Sequence, residues 1–311
     1  MGQHGLAVWL GFTGIVVALL VLDLGVLNRR SHVLSFKEAV SWSLGLIAFA
    51  FVFGLFLWWR EGTQHALEYY TGYLIELSLS VDNLFVFILI FNYFGVPSEA
   101  QPKVLKWGIL GAIVMRFIMI ALGALLLQRF EWIIYLFGGI LVLTGLKMLL
   151  QKDQRIEPEK NPIVRLARRL LPFTNSYDGA HFTTRTGTGR LLATPLVLVL
   201  LVVEWSDLVF AIDSIPAIFS ITRDPFLVYS SNIFAILGLR ALFFVLAGMM
   251  DRFAYLKPGV ALILVFVGGK MAVSAWVHVP ILVSLAVIIL TLGGSVGLSL
   301  WRSARDARQP A

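Results

Sequence analysis

Three carboxylates, Glu204, Asp207 and Asp213, interrupt a largely apolar run between Leu191 and Ile221. A weaker copy stands earlier, as Glu76-Leu77-Ser78-Leu79-Ser80-Val81-Asp82-Asn83. A charge at bilayer depth costs at least ~3 kcal/mol on insertion scales and is usually retained for a function. Carboxylates beside serine, asparagine and freed backbone carbonyls offer an all-oxygen environment, which suits hard divalent cations such as Mn²⁺, Mg²⁺ and Ca²⁺. Cysteine is absent, and none of the five histidines (His4, His32, His65, His181, His278) falls in either segment, so zinc and copper are disfavoured. The candidate metal ligands are therefore Glu76, Asp82, Asn83, Glu204, Asp207 and Asp213, from two segments expected to face each other.

On a straight helix a six-residue spacing turns about 600°, so the two carboxylates of each pair point roughly 120° apart. For both to reach one ion, the helix must unwind or several helices must contribute. Pro216 lacks an amide donor and frees the carbonyl of Ile212, which predicts a break in its helix. Ser78, Ser80 and Asn83 could open the earlier one in the same way. Arg116 and Arg240 read as counter-charges and gate elements, because a cation repels them. Asp23 is expected to meet the membrane interface or Arg29. A purely structural account also exists: six acids within the spans, with Arg116, Arg240, Lys147 and Lys270, could pair simply to hold a bundle together. The repetition of acids at matched positions favours function.

The elements that must position these residues are membrane helices. The 311-residue chain is 59% hydrophobic and 14% charged, and several stretches reach the ~20 apolar residues that cross a bilayer. The predicted fold is all-α, with about nine spans at 6–27, 39–58, 69–94, 105–127, 131–150, 193–220, 226–249, 255–276 and 279–301. With the N-terminus outside, eighteen of the Lys and Arg residues fall in inside segments, and only Arg60, Arg129 and Arg223 outside. That bias supports an N-out, C-in, multi-pass protein. The net charge of +7 belongs to those loops and gives no reason to invoke nucleic acid.

Setting Glu76 against Asp207 and Asp82 against Asp213 gives an offset of 131 residues. Arg116 matches Arg240, Arg129-Phe130 matches Arg252-Phe253, and Lys147-Met148 matches Lys270-Met271, at offsets of 123 or 124. Three spans per unit is an odd number, so the second copy must insert upside down, as transporter repeats do. The organisation expected is 1–66 with two helices, 67–151 as repeat 1, 152–192 as a basic cytoplasmic loop, 193–277 as repeat 2, and 278–311 as a last helix and tail. In the loop, a short interfacial helix with a basic face is expected around Pro162–Leu171. Gly187-Thr188-Gly189 has no preceding strand in this reading and is taken as linker rather than a phosphate loop.

At these residues the chain resembles the TerC family of integral membrane proteins, Alx-like members included. The matching motifs are Leu22-Asp23-Leu24-Gly25 followed by Arg29-Arg30, Glu76 to Asn83, Val203 to Ala217, and Ser231-Asn232-Ile233-Phe234-Ala235-Ile236-Leu237-Gly238-Leu239-Arg240. The resemblance implies export of Mn²⁺ as substrate across the bacterial cytoplasmic membrane, with links to tellurium resistance and alkaline response. It also implies kinship with the lysine-exporter superfamily and its inverted three-helix repeats. Manganese and the export direction rest on the resemblance alone. The function expected is a divalent-cation exporter without a catalytic site or resident cofactor. Its partners would be lipid, the metal ion and protons entering in exchange. The alternatives are a non-transporting scaffold or metal-delivery partner for exported proteins, or export of another small solute. An intramembrane aspartyl protease would resemble its class in a Gly-x-Gly-Asp motif, which is absent.

Overall fold

The computed structural model describes residues 5–26, 35–130, 132–150, 162–185, 190–247, 255–274, 276–277 and 279–306. It is a helical bundle. In chain order the helices are α1 (Leu6–Leu20), continued by a π-helical turn at Val21–Val26, then α2 (Phe36–Glu61), α3 (Thr63–Phe94), α4 (Gln101–Arg129) and α5 (Ile133–Leu150). After α6 (Pro162–Leu170) and strands β1 (Thr183–Arg185) and β2 (Leu191–Ala193) come α7 (Pro195–Phe219), α8 (Pro225–Leu237), α9 (Leu239–Ala247), α10 (Leu256–Ala272) and α11 (Ile281–Asp306).

Among the described residues seven helices are long and apolar enough to cross a membrane, or eight if the pair α8–α9, bent by 43°, counts as one span. The predicted eighth span, 255–276, is present as α10, whose 17 residues fall just short of a full crossing length. Element ends follow local chemistry. Ser35 and Glu38 form a capping box at the start of α2, and Asp224 accepts the amide of Phe226 at the start of α8. Gly95, at φ 59°, closes α3 in the left-handed conformation that glycine adopts without cost.

The helices that carry the predicted site lie at the centre. α3 packs against both α7 and α8, and α7 against both α3 and α4. Every residue of α8 from Phe226 to Leu237 is buried, so this helix has no solvent or lipid face. Aromatic rings from α1, α2, α3 and α8 wedge it in place, with Phe53 and Phe234 centred 5.0 Å apart and Phe12 and Phe226 5.5 Å apart. α5 and α10 form the closest pair. A Cβ added at Gly268 would stand 2.6 Å from the Gly138 carbonyl oxygen, and one at Gly138 would stand 2.9 Å from that of Gly268. Only glycine at both positions lets the two backbones approach this closely.

Three sequence expectations are corrected. Pro216 does not break its helix: α7 runs unbroken through it to Phe219, with the proline in the last turn. α3 is likewise continuous through Ser78, Ser80 and Asn83; the Ser78 hydroxyl bonds the carbonyl of its own helix at Ile75. The break falls at Gly238, between α8 and α9. The 152–192 loop is also more ordered than predicted. Its short helix forms as α6, burying Val164 and Ala167. Beyond it β1 and β2 pair antiparallel, Thr184 opposite Leu192, so a strand does precede Gly187–Gly189. Those glycines lie outside the described residues, and a strand rather than a helix follows them, which still argues against a phosphate loop.

Candidate functional site

The site is built around Arg116 of α4, which is fully buried. Its Nη2 donates to Asp207 Oδ1 at 2.9 Å and its Nε to Oδ2 at 3.3 Å, a two-pronged contact with α7. Its Nη1 donates to Glu76 Oε1 of α3 and, at 3.3 Å, to the Ser214 hydroxyl. Ser80, one turn beyond Glu76, donates its own hydroxyl to the same Oε1 at 3.3 Å. Glu76 is 0% exposed and Asp207 2%. Charge so deeply buried persists only when it is paired and hydrogen-bonded. One guanidinium thus joins the acidic segments of two helices that the sequence sets 131 residues apart.

The unbroken helices decide which acids meet. Asp207 and Ser214 stand seven residues apart, two turns of α7, and so share the face toward Arg116. Asp213, six residues from Asp207, is turned to the neighbouring side and accepts the Thr144 hydroxyl of α5 at 3.0 Å. Glu204 lies one turn before Asp207 and is half-buried, its carboxylate seated against Gly111 of α4 where any Cβ would collide with it. Beside Glu204 and Asp207 is a cavity of about 10 Å³, lined also by Phe87, Gly108 and Leu239. That is room for at most one water molecule.

Asn83 is 2% exposed, and its Nδ2 has no hydrogen-bond partner. The backbone of Asp82 continues α3, but its side chain lies outside the described residues. A second buried ion pair stands apart from the first. Arg240, just past the Gly238 bend, donates to Asp23 in the π-helical turn. Asp23 therefore meets Arg240; Arg29 lies outside the described residues. Lys270 donates to the Ser284 hydroxyl of α11 at 3.1 Å.

Among the described residues no three His, Cys, Asp or Glu side chains stand together as a metal-holding group. The groups gathered around Arg116 are all oxygens, the Glu76 and Asp207 carboxylates and the Ser214 hydroxyl, with the Ser80 hydroxyl on Glu76. With both acids ionised, the two carboxylates and one guanidinium leave a net single negative charge. Sequence reasoning missed two features. One is Asn232 of α8, 0% exposed, with neither amide atom partnered. The other is the π-helical turn that carries Asp23. Asn232 entered the sequence reading only within the Ser231–Arg240 motif, with no role assigned to it, while the π-turn left no signal in composition.

The model of the integral membrane protein TerC family matches residues 61–307. An "Uncharacterized membrane protein STKORF319" of Myxococcus xanthus is 52% identical over 303 residues, covering 97% of this chain and 94% of that protein. The "Putative membrane-bound redox modulator Alx" of Escherichia coli strain K12 is 46% identical over 310 residues, covering 97% of this chain and 96% of its own. An uncharacterized membrane protein of Rickettsia felis is 44% identical over 284 residues, or 91% of this chain and 94% of its own. No solved structure was found to match.

Proposed function

The chain belongs to the integral membrane protein TerC family, and on that premise we propose that it is a transporter exporting a hard divalent cation, with Mn²⁺ the favoured substrate. The observation that carries the reading is the convergence of Glu76 and Asp207 on Arg116, at the meeting of α3, α4 and α7. Isolated intramembrane acids would each find separate partners. Two acids at matched repeat positions sharing one cation suit a site that exchanges one positive occupant for another.

In this reading Arg116 is a tethered stand-in. It neutralises the carboxylates while no ion is bound, and it must withdraw before Mn²⁺ can replace water with Glu76 and Asp207 oxygens. The reciprocal packing of α3 on α7 and α8, and of α7 on α3 and α4, supports two inverted three-helix units rocking about this point. The bend at Gly238 supplies a hinge in the second unit. Exporting a doubly charged ion against a 100 mV inside-negative potential costs ~4.6 kcal/mol. Protons entering in exchange would offset this and, by neutralising the carboxylates, promote release. The same reading places the protein in the bacterial cytoplasmic membrane, N-terminus outside, and includes no chemical conversion of the substrate.

The name of the Alx relatives suggests a redox role. This chain has no cysteine, so it cannot itself exchange disulfides; controlling the level of a redox-active metal is the route open to it. The deciding experiment is Mn²⁺ flux in proteoliposomes with a set pH gradient, comparing wild type with Glu76→Gln and Asp207→Asn. Flux in wild type and its loss in both variants supports export. Cation binding without flux favours the metal-delivery reading instead. Transport that persists in both variants removes the site assignment, and flux indifferent to the pH gradient removes proton exchange.

A further inference from the structure

We infer that Asn232 is a further ligand of this site, supplying a neutral carboxamide oxygen to the cation that Glu76 and Asp207 bind; the inference rests on the transporter reading above. The residue sits in the middle of α8, the helix with no exposed face. Its neighbours Ser230 and Ser231 satisfy their hydroxyls on their own helix, at the carbonyls of Leu227 and Val228. Asn232 does neither: both Nδ2 and Oδ1 are buried without a partner. A carboxamide left wholly unsatisfied in a core is rare and calls for a cause.

The packing around α8 gives its direction. Ser231 faces α3, where its hydroxyl would stand 3.0 Å from a Cβ at Gly72. Tyr229 lies between α1 and α4, its ring centred 5.8 Å from that of Phe12 and 5.5 Å from that of Phe117. Phe226 and Phe234 face the aromatic rings of α1 and α2 on the other side. At about 100° per residue, Asn232 lies roughly 100° beyond Ser231 and about 60° short of Tyr229. Its side chain therefore leaves the helix into the wedge between α3 and α4.

The axial level agrees. Gly72 lies four residues, about 6 Å, before Glu76 on one face of α3. Phe117 adjoins Arg116. α3 and α8 run antiparallel here, since Tyr69 packs on Phe234 while Gly72 packs on Ser231, so Asn232 stands about five residues, ~7.5 Å, along the bundle axis from the level of Glu76 and faces the same interior. Glu76 Oε2 and Asn83 Nδ2, two turns apart on one face of α3, are likewise buried without a partner. Glu76 and Asp207 bring two charged oxygens, and a hard cation wants several more ligands, neutral ones included. A buried carboxamide oxygen with no protein partner is such a ligand, ready when Arg116 moves aside.

The test uses the full chain in detergent and in proteoliposomes, with Asn232→Leu and Asn232→Asp, read by unfolding midpoint across a MnCl₂ titration and by Mn²⁺ flux. Asn232→Leu keeps the volume and removes both unpartnered atoms. It should raise the cation-free unfolding midpoint while weakening Mn²⁺ binding about tenfold, which is about 1.4 kcal/mol. Asn232→Asp keeps the oxygen and adds charge, so it should tighten binding. If both variants titrate with Mn²⁺ and transport as wild type does, the inference is overturned while the transporter reading stands. If Asn232→Leu does not fold, Asn232→Asp decides alone: tighter binding supports the ligand role and unchanged binding refutes it. A wild type that neither binds nor moves Mn²⁺ overturns the transporter reading and this inference with it.

Discussion

Arg116→Met preserves most of the side chain's reach and removes the charge held between Glu76 and Asp207. Arg116 and both acids are almost wholly buried, so the loss leaves two carboxylates facing each other without compensation. Removing one partner of a buried ion pair costs about 3–5 kcal/mol, and here two pairs lose the same partner. If the guanidinium stands in for the transported ion, Mn²⁺ can occupy the place it vacates. At a concentration a hundredfold above its dissociation constant, a ligand confined to the folded state adds about 2.7 kcal/mol. The deficit of Arg116→Met should then shrink from about 3–5 to about 0.3–2.3 kcal/mol. Wild type should gain much less, because the ion must first displace the resident guanidinium. The assay is thermal unfolding of the purified protein in detergent with MnCl₂, and with MgCl₂ and CaCl₂ in parallel. The neutral triple variant Arg116→Met, Glu76→Gln, Asp207→Asn serves as the control. It should recover much of the lost stability, since neutralising all members of a buried ionic cluster costs far less than removing one, and it should not respond to Mn²⁺. An equal Mn²⁺ shift in wild type and Arg116→Met, or none in either, would refute the exchange of guanidinium for metal.

Two further outcomes test the framework that holds the site. Gly268→Ala drives a Cβ into the Gly138 carbonyl at 2.6 Å and should destabilise the protein by about 1–3 kcal/mol, whereas Gly269→Ala, with nothing within 4 Å, should leave the unfolding midpoint unchanged. Tyr177, in the segment before β1, donates its hydroxyl to the Phe94 carbonyl at the end of α3 at 2.6 Å, and burial raises its pKa above the usual 10.0. A raised phenol pKa means the folded state holds its proton more tightly than the unfolded chain does. Its contribution is complete below pH 10 and is lost as pH climbs through the folded value. Tyr177→Phe should lower stability by about 1 kcal/mol at neutral pH and abolish that alkaline decline, followed by unfolding midpoints between pH 8 and 11.

Much of the site was legible in the residues alone. Carboxylates at Glu76, Asp207 and Asp213 stood out because charge within an apolar run is costly. The six-residue spacing also foretold that an unbroken α7 would point Asp207 and Asp213 apart, as their separate contacts with Arg116 and Thr144 show. What misled was the role given to Pro216. Sequence locates the proline but does not show whether the helix continues through it, and α7 runs on to Phe219. Asn232 went unread because a lone amide among apolar residues gives no sign of whether its bonds are made.

The sequence by itself determined that this is a helical, multi-pass membrane protein with costly buried acids, because hydropathy and charge are summed locally along the chain. The offset that aligns Glu76 with Asp207 was likewise a property of the string. Only the tertiary structure decided that those two acids share Arg116 while Asp213 turns to α5 and Asp23 takes Arg240. Partner choice depends on the rotation and depth of each helix against its neighbours, set by close contacts such as Gly72 on Ser231 and Gly138 on Gly268. Those contacts join residues more than a hundred positions apart, and no local pattern records them.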